Sequence, residues 1–226
     1  METIKGNKPT YRNRITRRLF KHHLPLFVLS VVSVWLVYWE VGTEDKISRL
    51  SMATAYPGLA LLAATLLIGP FKVIRRRPNP VSDDLTRDIG IWAGIVGLAH
   101  VILGLQVHMR GRMWLLFLNE NQELPFIRLD QFGAANYTGL IATLILAMLL
   151  VTSNDWSLRK LGTKQWKRLH YWNYGLFLMV LLHGIIYQII EKRVLPYPYI
   201  FSAFAAIVII MQLVGYTIRK SQKPKA

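Results

Sequence analysis

Two histidines, His170 and His183, stand thirteen residues apart in a run from Leu169 that is otherwise almost wholly apolar. Ionisable side chains are costly in hydrocarbon and mark functional positions there, and neutral imidazole is the commonest metal-binding side chain. At ~1.5 Å of rise per residue, the two rings of one helix stand roughly 20 Å apart along its axis, one near a membrane face and one well inside. A second apolar run holds His100 and His108, with Arg87 thirteen residues before His100. Counted from the basic side of each run, His100 and His183 reach similar depth, and His170 lies at the depth of Arg87. Imidazoles at one depth on two helices can clamp a haem iron from both sides in a bundle core. They can equally be hydrogen-bonding groups between helices.

Thirteen residues also turn a straight helix ~220° beyond three full turns, so the two positions on one helix do not share a face. Either the helices cross and supercoil, or two sites lie on different sides of the bundle. His108, near the outer surface beside the depth of Tyr187 and Gln188, reads as an interfacial residue and not a ligand. His22 and His23 read as part of a basic interfacial patch.

The elements that must position these groups follow from composition. The chain has 226 residues, 53% of them hydrophobic, and a mean hydropathy of +0.30. Soluble domains run ~45–50% apolar on a count that also includes glycine, so an all-α membrane protein is expected, with room for six spans of ~20 residues. Cysteine is absent, which excludes disulfides, thiolate ligation, iron–sulfur clusters on cysteine and covalent haem attachment. The net charge of +16 falls in clusters between apolar runs, a topology signal and not a nucleic-acid footprint.

In chain order, residues 1–23 form a basic arm expected to be cytoplasmic and uncleaved. Spans follow at about Leu24–Val41, Met52–Val73, Ile89–Met109 and Tyr137–Thr152, then the histidine segment ending near Ile190, then about Tyr197–Ile218. Gly69-Pro70 is expected to kink or end the second span, and Pro78-Asn79-Pro80 to stiffen the next connection. Met113–Leu118 is too short to span and reads as an interfacial segment. Twenty-one of the 28 lysines and arginines fall in the arm, the second and fourth loops and the tail from Arg219, and seven in the remaining loops. The positive-inside rule then puts both termini in the cytoplasm. The organisation expected is a basic arm (1–23), a six-transmembrane-helix bundle (24–218) and a basic tail (219–226).

The residues also carry a resemblance. Thr86-Arg87-Asp88-Ile89-Gly90-Ile91-Trp92 with Leu98-Ala99-His100 resembles the third helix of the ferric-reductase-like transmembrane family. Thr152-Ser153, Leu158-Arg159-Lys160-Leu161-Gly162 and Trp166-Lys167-Arg168-Leu169-His170, then His183, resemble the fourth loop and fifth helix of its MsrQ (YedZ) branch. The resemblance implies b-type haem, one or two, on His100, His183 and His170, with Arg87 near an inner haem. The related oxidases and ferric reductases usually carry two histidines on each of these helices, whereas here His108 is only eight residues from His100.

The function expected is movement of electrons across the bilayer, as the electron-transfer subunit of an oxidoreductase system. The donor would be a membrane quinol or a flavoprotein, since no Gly-rich dinucleotide fingerprint is found; FMN at the basic cytoplasmic loops is a further expectation. The resemblance implies an outer-side acceptor protein, a periplasmic methionine sulfoxide reductase, and a bacterial inner-membrane location; reduction of ferric ions is a further activity of the family. The rival from another class is a non-catalytic scaffold subunit of a larger membrane complex. A transporter ranks lower, because no pair of broken helices is related by an internal repeat.

Overall fold

In hydrocarbon every backbone N–H and C=O must be paired within its own segment, so apolar runs of this length become helices. The computed structural model describes residues 11–43, 45–77, 84–120 and 127–222. These form α1 (Tyr11–Arg18), a π-helical turn (Leu19–His23), α2 (Leu24–Glu40), α3 (Lys46–Ile74), α4 (Asp84–Val107), α5 (Gln131–Thr152), α6 (Asp155–His170), α7 (Trp172–Ile190) and α8 (Tyr197–Ser221). Among the described residues there is no strand, only an isolated bridge between Leu118 and Ile127. Six helical runs, Ile15–Glu40, Lys46–Ile74, Asp84–Val107, Gln131–Thr152, Asp155–Ile190 and Tyr197–Ser221, are long and apolar enough to cross a membrane. The chain is a multi-pass membrane protein. The Pro78-Asn79-Pro80 connector, Lys5 and Lys8 of the arm, and Lys223 and Lys225 of the tail lie outside the described residues.

Side-chain caps fix where several helices begin. Asp45, Asp130 and Asn154 accept from the backbone N–H groups of Ser48, Gly133 and Ser157 at 2.7, 2.7 and 2.8 Å, each satisfying a donor that the first turn leaves unpaired. The central helix is α3, packed against α2, α4 and α8, while α5 lies along α7. Small residues bring α4 close to α5. A Cβ added at Gly94 or Gly97 would meet Leu150 or Leu146 at 2.9 Å, the close approach that drives helix association in lipid. One cluster of Leu62, Leu66, Leu176, Phe177 and Val208 ties α3, α7 and α8 together. Leu36, Trp39, Leu213 and Tyr216 stay exposed, as lipid-facing positions do.

Four features add to the sequence expectation or differ from it. The arm is helical from Tyr11 and runs through the π turn into α2, because its basic residues reach a buried carboxylate described below. The fourth connection is not a loop but α6, broken only where Gly162 adopts a positive φ of 71°. Pro70 lies inside α3, which runs on for one further turn to Ile74; it fills the space beside Gly215 of α8, where a Cβ would lie 3.0 Å from it. The Met113–Leu118 run is partly tucked in, with Leu115 and Leu116 buried. Their carbonyls are held by Arg128 at 2.7 Å and Asn136 at 3.1 Å, while Trp114 stays exposed.

Candidate functional site

His100 on α4 and His183 on α7 face each other across the middle of the bundle. Their ring centres are 6.3 Å apart and the planes nearly perpendicular, at 78°. Each is pinned by a helix carbonyl from a neighbouring element. His100 Nδ1 lies 2.9 Å from the Ser51 carbonyl of α3, and His183 Nδ1 lies 2.9 Å from the Ala135 carbonyl of α5. A carbonyl only accepts, so Nδ1 carries the proton in both rings and Nε2 keeps its lone pair. Metal-binding histidines are held in this way, the second nitrogen donating to a carbonyl or carboxylate.

Gly139, one helical turn beyond Ala135, makes the second of these contacts possible. A Cβ there would sit 2.8 Å from His183 Nδ1 and 2.9 Å from its Cε1, so any side chain would push the imidazole off the carbonyl. Both rings remain half-buried.

The donor set suits one cofactor class. Two imidazoles on opposite sides of one metal, each bonded at about 2 Å, have ring centres roughly 6 Å apart, close to the separation observed. Among the described residues no three His, Asp or Glu side chains converge as a bare metal ion would need. An opposed imidazole pair is what a haem iron takes, because the porphyrin supplies its other ligands.

The N-terminal end of α4 is built differently. Arg87, only 6% exposed, donates from Nη1 to Asp155 at 2.6 Å, while its Nε is buried without a partner. His170 stacks on Trp166 at 3.8 Å between ring centres, with Nε2 3.4 Å from the Thr152 hydroxyl, and Arg87 lies within electrostatic reach of it. His170 thus faces an indole, a hydroxyl and a guanidinium, not a second imidazole. α6 ends at His170 and α7 begins at Trp172, with Tyr171 between them in helical φ/ψ. A buried guanidinium nitrogen without a partner is a ready donor for a carboxylate such as a haem propionate.

His108, just past the C-terminal end of α4, is not in the central pair. Its Nε2 lies 3.4 Å from Glu191, and its ring stacks on Tyr187 at 6.0 Å. Tyr187 in turn lies 4.8 Å from His183 between ring centres and donates to Asn136 at 2.8 Å.

Sequence reasoning passed over the most deeply buried ionisable group of this region. Asp88 is 0% exposed and accepts from the Arg18 guanidinium and from His22 Nδ1 at 2.7 Å. His23 Nε2 lies 3.3 Å from its other oxygen. His22 and His23, each with about a quarter of its side chain exposed, therefore converge on one buried carboxylate. Little in the sequence signals it, since Asp88 follows Asp83, Asp84 and Arg87 just before the apolar run that begins at Ile89.

The chain is similar to known proteins. Residues 54–181 match the family described as ferric reductase like transmembrane component. The match takes in Arg87, His100 and His170 and ends two residues before His183. The protein-methionine-sulfoxide reductase heme-binding subunit MsrQ of Yersinia pseudotuberculosis serotype O:1b (strain IP 31758) is 29% identical over 174 residues, 75% of this chain and 76% of that protein. The proteins of the same name from Yersinia pestis strain Pestoides F and bv. Antiqua strain Angola are also 29% identical over 174 residues, 75% of each chain. With more than half of its length inside the family match, this chain belongs to the ferric reductase like transmembrane component family.

Proposed function

We propose that this chain is a b-type haem-binding membrane subunit that passes electrons across the bilayer. Electrons come from a quinol or flavoprotein and go to an outer-side partner, a methionine sulfoxide reductase of the kind the relatives' name describes. His100 and His183 would hold the haem of the central site. His170 and Arg87 line an inner site, which a second haem or FMN would occupy. Both termini face the cytoplasm of a bacterial inner membrane, as the distribution of lysine and arginine supports.

The observation that carries this reading is the opposed pair of imidazoles, 6.3 Å apart, each with Nδ1 on a helix carbonyl. Those carbonyls fix both rings before any cofactor arrives, so binding loses little side-chain freedom. Haem bound there supplies reversible one-electron transfer at a potential set by its ligands and burial. The apolar wall of Leu176, Phe177 and their neighbours keeps water from the interior, and the free Arg87 Nε offers a carboxylate a partner.

The test is the reduced-minus-oxidised spectrum of the purified protein, with pyridine haemochrome quantitation, beside His100→Ala and His183→Ala. Wild type should show b-type bands, and either substitution should remove most of the haem. A colourless wild type from cells with ample haem would overturn the reading and leave a scaffold subunit.

A further inference from the structure

One turn of α5, from Ala135 to Gly139, makes three contacts with α7. Ala135 gives its carbonyl to His183, and Gly139 leaves room for the ring. Asn136 takes the hydroxyl of Tyr187 at 2.8 Å. His183 and Tyr187 stand four residues apart on α7, the spacing of helical neighbours. Their ring centres lie 4.8 Å apart, with the planes at 55°.

A single hydrogen bond fixes Nδ1 of His183 but leaves the ring plane free to swing about that contact. Gly139 closes the Nδ1–Cε1 edge of the ring, and Tyr187 packs against it from its own helix. Tyr187 can act as a stop only if it is itself held, and Asn136 holds it. Asn136 is 8% exposed, and its Nδ2 donates to the Leu116 carbonyl at 3.1 Å and the Phe132 carbonyl at 2.9 Å. Both amide hydrogens are thereby taken, so Oδ1 is the atom facing Tyr187 and the phenol donates to it. Fastening the Met113–Leu116 turn to α5 does not account for this arrangement. Tyr137 already donates to the Phe117 carbonyl at 2.6 Å and Arg128 to the Leu115 carbonyl at 2.7 Å, and neither bond uses Tyr187.

We propose that Tyr187 and Asn136 are positioning residues for His183. Asn136 holds the Tyr187 hydroxyl, and the Tyr187 ring sets the plane of the imidazole. The 78° between the His183 and His100 planes is then a property this pair maintains. The proposal rests on the reading above that these two imidazoles hold a haem. Axial ligands set the electronic state of a haem iron, and the EPR signal of its low-spin ferric form reads the angle between their planes.

The experiment uses the purified full-length protein, with haem titrated into its haem-free form and the EPR spectrum recorded on the ferric complex. Wild type should give the widely spread g values of near-perpendicular imidazole planes. Tyr187→Phe keeps the ring and loses the hydroxyl. It should narrow that spread and raise the haem Kd about fivefold, the order set by one lost hydrogen bond. Asn136→Leu should do the same, and adding Tyr187→Phe to it should raise the Kd no further; independent roles would multiply to about 25-fold. Tyr137→Phe, which loosens the neighbouring turn but leaves Tyr187 its partner, should match wild type. Wild-type spectra and affinity in Tyr187→Phe, or the same change in Tyr137→Phe, would overturn the proposal. The His183 ring nitrogen resonances of the haem-free protein, assigned by their loss in His183→Ala, separate it from the haem reading. A wild type that takes up no haem sinks that reading, while a His183 resonance that moves in Tyr187→Phe keeps the positioning pair and one that stays put removes it.

Discussion

The middle and the inner end of α4 hold their titratable groups by opposite means. In the middle, His100 and its partner His183 are fixed by backbone carbonyls, Ser51 on α3 and Ala135 on α5. At the inner end, Asp88 is fixed by side chains alone: Arg18, His22 and His23. A helix carbonyl has a spare lone pair after its own i+4 bond, and its position is set by the helix. Orientation by carbonyl adds no further charge to the hydrocarbon. Orientation by ion pair introduces two charges that must stay matched. The middle is thus suited to holding a neutral ligand still, and the inner end to exchanging partners at a charged centre.

The comparison breaks most visibly at Asp88. Asp88→Ala takes its nearest carboxylate from the Arg18 guanidinium, whose side chain is 15% exposed, and leaves it only Asp84 at 4.0 Å. Removing one member of a buried pair costs about 3–5 kcal/mol. Thermal unfolding in detergent should show a large loss of stability, and Asp88→Asn a smaller one. A wild-type melting temperature for Asp88→Ala would mean the cluster is solvated in the membrane.

Next in size is Gly139→Val. The added Cβ falls on the His183 ring and displaces Nδ1 from the Ala135 carbonyl, while the rest of α5 keeps its packing. Groups that orient a metal-binding histidine are worth 10–100-fold in affinity. Retained haem should drop by about tenfold, with the protein still folded and membrane-inserted. Haem content equal to wild type would show that His183 does not need this orientation.

The difference between the two regions also explains what could be read from the sequence. The spans were legible because runs of ~20 apolar residues have one outcome in a bilayer. The approach of His100 to His183 followed from depth counted along two helices of the same direction. Three things did not. The helical arm from Tyr11 depends on a partner 70 residues away in sequence, Asp88, and nothing local to the arm announces it. α6 was hidden because its basic residues read as loop, although charged residues are no bar to a helix. Gly139 looked like one small residue among several. Only the ring beside it shows that it is a space reserved for an imidazole.

A smaller effect is expected at the outer end. The His108–Glu191 pair spans 3.4 Å with both side chains over a quarter exposed, and such pairs contribute about 0–1 kcal/mol. Glu191→Gln should therefore shift thermal stability little and leave haem content unchanged. A loss of haem in this variant would make His108 part of the central site after all.

The smallest effect is the one that separates the two modes of support. Ser51 offers His100 two oxygens, the carbonyl at 2.9 Å and the hydroxyl at 3.4 Å. A side-chain-held histidine would depend on the hydroxyl, and a backbone-held one on the carbonyl alone. Ser51→Ala deletes the hydroxyl and keeps the carbonyl in the same helix, so the haem spectrum and its midpoint potential should match wild type. The 3.4 Å contact is too long to be a strong hydrogen bond, and its removal leaves His100 Nδ1 with the better acceptor. If Ser51→Ala instead shifts the potential or loosens the haem, the hydroxyl is the true second partner of His100. The middle of α4 would then be held by a side chain, as its inner end is.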